Sequence, residues 1–591
     1  MYPYALIGNC QISALVGERG SIDWLCLPRP DSPPVFGKLL DAQGGSFLIE
    51  AQGQSQGTQS YIPNTNVLVT RVRSDDGSEF QITDFCPRFS QHGRMYRPMA
   101  LFRIVEPLTG APHIRIRCQP VNGWSKEPLK PTQGNSHLRY EAEGQLLRLT
   151  TNMSLTYLQE DAFVALKEPL FFALTSGLGI EDNLPQVSRR FLEQTIDYWN
   201  TWVKHCSIPT DYQKETIRSA LTLKLHCYED TGAILAALTT SLPEEDGSGR
   251  NWDYRFCWLR DSYFALNAFH RLGHFEEMEG FIKFLLGVAE KHDHSRERLR
   301  PVYRLDQSLP LPEIEHTNWS GFGNNQPVRS NNQAAEHIQN DVYGEMVLTL
   351  APIFFDERFH HLRTQEHERL LVRLAKLCAQ TISQPDAGLW ELRNGWQEHS
   401  FSNLMCWAGL DRIHRIHGEG FLREIDFDLA QAKDKAERAI QAAVREGSLR
   451  NTPQDESYDA ALLLLPILNF PDAKVSKKTV EKAWGALRLS EDSNLSSFLY
   501  RYKRRDDFGM PQSAFMICSF WLVQALARVQ EKKKAQEVMR CAMTSATSLG
   551  LFSEHYIPHG NRQTGNFPQA YSHVGQINAA FAISSSWDDV L

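Results

Sequence analysis

Apolar and polar residues alternate in short runs through the first part of the chain, which is the pattern of half-buried β-strands. Three pairs of such runs enclose turn sequences and predict hairpins. The pairs are 67–73 with 79–85 around Asp76-Gly77, 101–105 with 113–118 around Leu108-Thr109-Gly110, and 137–142 with 146–151 around Glu143-Gly144. Several short strands at this spacing predict an antiparallel β-sandwich.

The hydrophobic period changes after Pro185. Residues such as Val187, Phe191 and Trp199 form an apolar stripe that recurs about every three or four positions, and this stripe predicts one long helix. We therefore expect three parts in this chain. They are an N-terminal β-sandwich domain over 1–185, a helical linker over 186–211, and a helical catalytic domain over 212–591.

From residue 212 onward the apolar residues keep the helical period almost throughout. Connections from odd- to even-numbered predicted helices are mostly long, whereas the reverse connections are short, such as Gly273 alone. Antiparallel helices with this rhythm predict an (α/α)6 barrel whose long loops gather at one end, where a site is expected. The twelve predicted helices are 212–228, 262–272, 274–291, 333–355, 366–385, 401–415, 427–446, 455–468, 475–489, 512–530, 533–549 and 568–583.

Charge and composition exclude several classes of partner and cofactor. The chain has 591 residues and a formal net charge of −8, which argues against a nucleic-acid partner. Its eleven cysteines include no C-x-x-C, and His292-Asp293-His294 lacks the ligand count of a closed site, so we expect no metal and no cofactor. No signal peptide or membrane span is visible, so we expect a cytoplasmic protein without a membrane partner. The sequence predicts no particular oligomeric state.

The long predicted loops are rich in aromatic rings, carboxylates and arginines. Sugars suit such a lining, because their C–H faces pack on rings and their hydroxyls bind charged groups. Inverting glycoside hydrolysis needs two carboxyl groups about 6.5–9.5 Å apart, with a water between one of them and the sugar. Composition alone does not select the pair, because many carboxylates lie near this end. They include Glu244, Glu245, Glu313, Glu315, Glu345, Glu391, Glu398, Asp507 and Glu554.

Long motifs are spread over nearly the whole chain. They are IGNC at 7–10, GSIDWL at 20–25, FGKLLD at 36–41, RNWDYRFCWLRD at 250–261, NDVYGE at 340–345, MCWAGLDR at 405–412 and GNFPQAYSH at 565–573. These segments resemble bacterial and archaeal members of glycoside hydrolase family 15. The resemblance implies a β-sandwich, a helical linker and an (α/α)6 barrel. The family includes glucoamylases, trehalases and glucodextranases.

The resemblance also implies the catalytic pair. Leu389-Trp390-Glu391 resembles the segment that holds the general acid, and Ser553-Glu554 resembles the segment that holds the general base. Fungal starch-cleaving members carry a second glutamate directly after the acid, where this chain has Leu392. This departure makes starch an unsafe expectation for the substrate.

Sugar-binding residues follow from the same motifs. Trp258, Arg260 and Asp261 resemble residues that hold the terminal glucose, and Tyr254 resembles an aromatic residue near the scissile bond. Leu389 and Trp390 are expected to contact the substrate as well. Without the resemblance, Asp261 before Ser262 is equally well explained as a helix N-cap. Glu345 is a rival acid, for which we favour a structural role.

These residues predict an inverting, exo-acting glycoside hydrolase that releases β-glucose from the non-reducing end of α-glucosides such as short maltooligosaccharides. Its partner is thus an oligosaccharide or a disaccharide. A trehalase that hydrolyses α,α-trehalose is the alternative within the enzyme class. A non-catalytic, carbohydrate-binding α/α toroid is the alternative of another class.

Overall fold

The computed structural model describes residues 1–142, 144–177, 179–295, 298–492 and 495–591, and within 292–295 the backbone alone. Two antiparallel sheets form the N-terminal domain and share one core, in which the rings of Phe47 and Phe172 lie 6.0 Å apart. The first sheet contains Tyr4–Gly8, Ser13–Gly17, Ile22–Cys26, Ser46–Ala51, His113–Gln119 and Val164–Ala165 in this order, with Pro34–Phe36 paired to Ile22–Cys26. The second contains Thr132–Gln133, His137–Ala142, Gln145–Thr151, Leu170–Ser176, Ala100–Thr109, Glu79–Phe85, Leu68–Ser74 and Ser55–Tyr61.

Two of the three predicted hairpins are confirmed. Leu68–Ser74 pairs with Glu79–Phe85, and His137–Ala142 pairs with Gln145–Thr151, although Glu143 of that turn lies outside the described residues. The third hairpin is wrong, because Ala100–Thr109 lies in the second sheet and His113–Gln119 in the first. Both strands bury apolar side chains in the same core from opposite sides, so the chain crosses between the sheets instead of folding back.

The predicted linker helix is present as Leu184–Lys204. The Asn183 side chain accepts a hydrogen bond from the Gln186 N–H and caps the helix. Phe191 packs against the second sheet, with its ring 5.6 Å from that of Phe102. Trp199, further along, is buried in the core of the helical domain. One helix therefore contacts both domains.

Six inner helices contact one another around a ring, and six outer helices cover them. The inner helices are Leu259–Leu272, Asp341–Leu350, Ser400–Gly418, Leu464–Ile467 with the preceding 3-10 turn Ala460–Leu463, Met516–Arg528 and Ala570–Ile583. The outer helices are Gln213–Leu225, Phe275–Ser295, Gln365–Thr381, Leu429–Ala442, Ala473–Leu487 and Lys532–Ala542. The even-numbered predicted helices are the inner ones, and the (α/α)6 barrel is confirmed. The long loops lead into the N-terminal ends of the inner helices.

Several predicted helix bounds are wrong. The segment 455–468 is α-helical only over Leu464–Ile467, and 333–355 is reduced to Asp341–Leu350 and a separate turn, Pro352–Phe355. Pro466 and Pro352 each lack the N–H that a continuous helix needs. Phe275–Ser295 is longer than predicted, so the backbone of His292-Asp293-His294 is helical instead of a loop, while these side chains lie outside the described residues. In the described part of the chain, no helix is long and apolar enough to cross a membrane.

The β-sandwich packs on the barrel end that carries the long loops. The Trp24 indole N–H donates to the Leu238 carbonyl over 2.8 Å, and Arg88 pairs with Glu229 over 2.6 Å. The Tyr2 hydroxyl donates to the carbonyl of Gly565 over 3.0 Å. N-terminal residues thus help to hold loops of the barrel in place.

Candidate active site

A pocket with two chambers opens where the long loops gather. The inner chamber is lined by Ala236, Tyr254, Trp258, Arg260, Asp261, Leu389, Trp390, Glu391, Arg501, Phe515, Gln569 and Tyr571. The outer chamber is lined by Glu244, Arg250, Trp252, Tyr254, Asn332, Ala334, His337, Trp390, Glu391, Leu392, Arg393, Arg501, Tyr502, Asp506, Asp507 and Phe508. Tyr254, Trp390, Glu391 and Arg501 belong to both walls and form a neck between the chambers.

One oxygen of the Glu391 carboxyl group is held by donors. Oε1 accepts the Trp258 indole N–H over 2.6 Å and contacts two guanidinium nitrogens of Arg260 at 3.3 Å. Among the described residues nothing donates to Oε2, and the side chain is 16% exposed. A proton that Glu391 delivers to a bound sugar would therefore be carried on Oε2, since Oε1 is already occupied as an acceptor.

Glu391 stands on a tight turn that begins at Asp386. Asp386 Oδ1 accepts the Gly388 N–H over 3.1 Å, and the Glu391 N–H donates to the Gly388 carbonyl over 3.1 Å. Glu391 has a φ of 62°, a left-handed conformation that costs a non-glycine residue about 1–3 kcal/mol and is typical of functional sites. The surrounding hydrogen bonds keep this carboxyl group aimed at the neck.

Glu554 is buried, with 1% exposure, directly before the short strand His555–Ile557. Its Oε2 accepts the Asn566 N–H over 3.1 Å, while Oε1 has no hydrogen-bond partner in the described residues and lies 3.5 Å from His555 Nε2. A Cβ atom on Gly565 would come within 2.6 Å of Glu554 Oε2. Only glycine therefore lets the Asn566 N–H reach the carboxylate, and Oε1 is left available for a water.

Tyr254 links the two glutamates electrostatically. Burial raises the pKa of its phenol well above the ordinary value, and the charges of Glu554 and Glu391 raise that pKa further. Its ring contacts Trp258 edge-on at 5.2 Å. Both proposed catalytic carboxylates therefore lie near the Tyr254 phenol, which lines the neck between the two chambers.

Arg260 and Asp261 lie side by side in the wall of the inner chamber. Arg260 Nε donates to Asp261 Oδ1 over 3.1 Å, and Arg260 Nη1 donates to the Leu389 carbonyl over 2.8 Å. Burial raises the pKa of Asp261 to about 6, against the lowering effect of Arg260. The helix begins at Leu259, so Asp261 is in its first turn and the N-cap interpretation is wrong.

More carboxyl groups surround Arg260 than one guanidinium can neutralise. Asp341 and Glu345 are fully buried behind it, and their two carboxyl groups are close enough to share a proton in a hydrogen bond. Burial raises the pKa of Asp341 to about 6 and that of Glu345 well above its ordinary value. Glu345 is thus a buried neighbour of the inner chamber and does not line it.

Ion pairs close the wall of the outer chamber. Arg250 pairs with Asp506 over 2.5 Å, although the two residues are 256 positions apart, and Arg501 pairs with Glu244 over 3.1 Å. The Arg393 N–H donates to Asp507 over 2.8 Å. These loops hold one another, so the outer wall is a fixed surface with both donors and acceptors.

The structure brings together every residue that the sequence singles out. Tyr254, Trp258, Arg260, Asp261, Leu389, Trp390 and Glu391 line the inner chamber, and Glu554 lies beside it. Sequence reasoning missed Arg501, Tyr502 and Asp506, which come from the predicted loop 490–511. Their signal was the alternation of aromatic and charged residues over 500–507 in a long loop at the site end.

One set of side chains has the composition of a metal site. Ligand atoms of Glu244, Glu554 and His555 lie within 4.8 Å of one another, and all three residues are buried. Arg501 Nη2 is 3.1 Å from Glu244 Oε2 and would repel a cation there. The same atoms suit a water, because they offer it both an imidazole nitrogen and two carboxylates.

Comparisons with known proteins agree with this geometry. A family model described as "Glycosyl hydrolases family 15" matches residues 210–545, and one described as "Trehalase-like, N-terminal" matches 3–152. The chain is 30% identical to a trehalase of Mycolicibacterium smegmatis, over 98% of this chain and 90% of that protein. It is also 30% identical to trehalase 1 of Sulfolobus acidocaldarius, over 97% of both chains. A bacterial glucoamylase in complex with acarbose superposes with a TM-score of 0.67 and 13% identity, over 98% of this chain and 94% of that one.

The family model covers more than half of the chain, and the relatives match it almost from end to end. The non-catalytic alternative is therefore not supported. This protein belongs to glycosyl hydrolase family 15 and is a glycoside hydrolase.

Proposed function

We propose that the protein hydrolyses α,α-trehalose with inversion of configuration. The observation that carries this proposal is the two-chamber pocket with Glu391 in the neck, where each chamber offers a place for one sugar ring. The ion-paired outer wall favours a short leaving group, and the relatives named trehalase support the disaccharide. We therefore propose trehalose as the first substrate, whereas the sequence alone favours short maltooligosaccharides.

The proposed mechanism is a single displacement. Glu391 donates its Oε2 proton to the glycosidic oxygen, and Glu554 Oε1 takes a proton from a water that attacks the anomeric carbon from the opposite face. The new C–O bond forms as the glycosidic C–O bond breaks. The inner sugar leaves as β-glucose, whereas the leaving sugar keeps its α configuration. Arg260 and Asp261 would bind the outer hydroxyls of the inner sugar, for which they supply donors and acceptors.

Release of β-glucose from short α-glucans is the second candidate. The whole-chain superposition on a bacterial glucoamylase supports it at the level of the fold. Leu392 stands in the outer chamber, where fungal starch-cleaving members have a glutamate that contacts the leaving sugar. The apolar side chain cannot replace those hydrogen bonds, so trehalose remains the first proposal.

We further propose a cytoplasmic location and the division into 1–185, 186–211 and 212–591. All eleven cysteines are free, which supports a reducing compartment. The last strand of the second sheet ends at Ser176, the linker helix spans Leu184–Lys204, and the first barrel helix begins at Gln213, which supports these boundaries.

Initial rates on trehalose, maltotriose and isomaltose test the substrate. The catalytic pair is tested with Glu391→Gln and Glu554→Gln, which should each lower kcat on the best substrate by about 10³-fold. Glu398→Gln is the matched control, because Glu398 is in the same loop as Glu391 and binds Asn403 Nδ2 at 2.9 Å instead of facing the pocket. A near-wild-type rate in either catalytic variant would contradict the assignment. A faster rate on maltotriose than on trehalose would favour the second candidate.

A further inference from the structure

A second cavity lies at the opposite end of the barrel. Its volume is about 750 Å³, and it is lined by the C-terminal halves of inner helices and the loops that follow them. The inner helix Leu259–Leu272 joins the two sites, since Asp261 lines the catalytic pocket and Arg271 lines this cavity. Ten residues of α-helix separate them by about 15 Å. Nothing in the proposed mechanism uses this cavity.

Positive charge dominates the cavity wall in a chain whose net charge is −8. Five arginines line it, and its two carboxylates are already paired, Asp356 with Arg358 at 2.6 Å and Glu357 with Arg363 at 2.9 Å. Two of the other arginines share a single carboxylate outside the wall, that of Asp411. The arginines are Arg271, Arg358, Arg412, Arg415 and Arg528.

Arg271 and Arg528 are the least compensated of these groups. Within the described residues neither forms a salt bridge, and Arg271 donates only to the Asn267 side chain, at 3.2 Å. Burial lowers the pKa of Arg271, and the positive charge of Arg528 lowers it further. Two guanidinium groups that repel each other across a cavity offer a site for a doubly charged anion, which a phosphoryl group supplies.

The remaining wall suits a hydroxylated ring. Four carboxamides line the cavity, together with the rings of Tyr263 and Phe264. Asn578 is 4% exposed, and its Oδ1 has no hydrogen-bond partner among the described residues, so it can accept from a ligand hydroxyl. A cavity of this size falls in the range of sites for small organic ligands. The carboxamides are Asn267, Asn469, Gln524 and Asn578.

We propose that this cavity binds a phosphorylated sugar, with the phosphoryl group between Arg271 and Arg528 and the sugar against the amides and aromatic rings. This site is separate from the catalytic pocket. The proposal does not depend on whether the enzyme hydrolyses trehalose or α-glucans, because binding to this cavity is measured without turnover.

Isothermal titration of the full-length protein tests the proposal with glucose 6-phosphate, inorganic phosphate and glucose as probes. Wild-type protein should bind glucose 6-phosphate saturably and at least tenfold more tightly than inorganic phosphate. The double variant Arg271→Gln/Arg528→Gln should weaken that binding at least tenfold, and exposed Arg528 changed alone to Gln should weaken it without disturbing the core. Arg540→Gln, an exposed arginine on an outer helix, should bind as the wild type does.

Three results would overturn the proposal. One is the absence of saturable binding of both phosphates to the wild type. Another is unchanged binding of glucose 6-phosphate in the double variant, which would place that ligand elsewhere, including the catalytic pocket. The third is inorganic phosphate binding as tightly as glucose 6-phosphate, since the sugar would then contribute nothing. Unchanged far-ultraviolet circular dichroism of the variants confirms that they are folded.

Discussion

Gly565→Ala should damage catalysis through the position of Glu554. The added Cβ would lie 2.6 Å from Glu554 Oε2, where ordinary contact begins at 3.4 Å, so the carboxylate or the loop must shift by about 0.8 Å. A misplacement of about 1 Å costs on the order of 100-fold in rate, and we expect kcat to fall by about that factor while KM changes little. The φ of 73° at Gly565 also strains an alanine backbone, which should lower the free energy of unfolding by roughly 1 kcal/mol.

Steady-state kinetics on the best substrate and a thermal melt measure these two effects separately. Gly560→Ala is the matched control, because Gly560 also has a positive φ of 92° and no described atom lies within 4 Å of the position that an added Cβ would take. It should show a comparable loss of stability and near-normal kcat. A folded Gly565→Ala enzyme with wild-type kcat would refute the placement of Glu554 as the general base.

Three further predictions concern neighbours of the proposed catalytic pair. Burial raises the pKa of Asp261 to about 6, so kcat/KM should fall as the pH drops below about 6 and this carboxylate is protonated. Asp261→Asn should remove that inflection from the pH profile. If the inflection persists in the variant, Asp261 is not the group that binds the substrate as a carboxylate. Trp258→Phe deletes the indole N–H that donates to Glu391, a charged hydrogen bond worth about 2 kcal/mol, so kcat/KM should fall about 30-fold in steady-state assays, and an unchanged value would count against this contact. Tyr2→Phe deletes the hydroxyl that holds the Gly565 carbonyl, so a thermal melt should show a loss of about 1 kcal/mol; no loss would mean that the N-terminus does not anchor this loop.

The helical barrel could be predicted because its signal is local. Each inner helix is buried on nearly all sides, and each outer one carries an apolar stripe, so the period of the sequence reveals them one by one. The alternation of long and short connections then orders them into pairs. The prediction is wrong at 455–468. The apolar run continues there, but the capping Asp459 and Pro466 limit the helical structure to the 3-10 turn Ala460–Leu463 and one α-helical turn, Leu464–Ile467.

In the β-sandwich, the strands could be predicted from the sequence but their arrangement into sheets could not. Turn residues and alternation identify the strands, yet they do not reveal which sheet a strand joins. Gly110 follows a strand of one sheet and precedes a strand of the other, although its sequence context resembles a hairpin. That choice depends on contacts between distant strands, which a local pattern does not contain.

The proposed catalytic pair illustrates why a site is harder to predict than a fold. Motifs select Glu391 and Glu554, because composition alone leaves nine carboxylates near the same end. The surroundings of these two glutamates depend on features that no sequence pattern reveals. Examples are the positive φ of Glu391 and the close contact between the Gly565 backbone and the Glu554 carboxylate. The outer chamber depends on pairs such as Arg250 with Asp506, which only the folded chain brings together.

Proton NMR of fresh enzyme with trehalose tests the central claim most directly, if spectra are recorded before mutarotation mixes the anomers. Inversion predicts equal amounts of β-glucose from the inner sugar and α-glucose from the leaving sugar. Retention would give α-glucose alone and would contradict the roles of Glu391 and Glu554. Absence of glucose from trehalose, with fresh β-glucose from maltotriose, would keep the mechanism and overturn the proposed substrate.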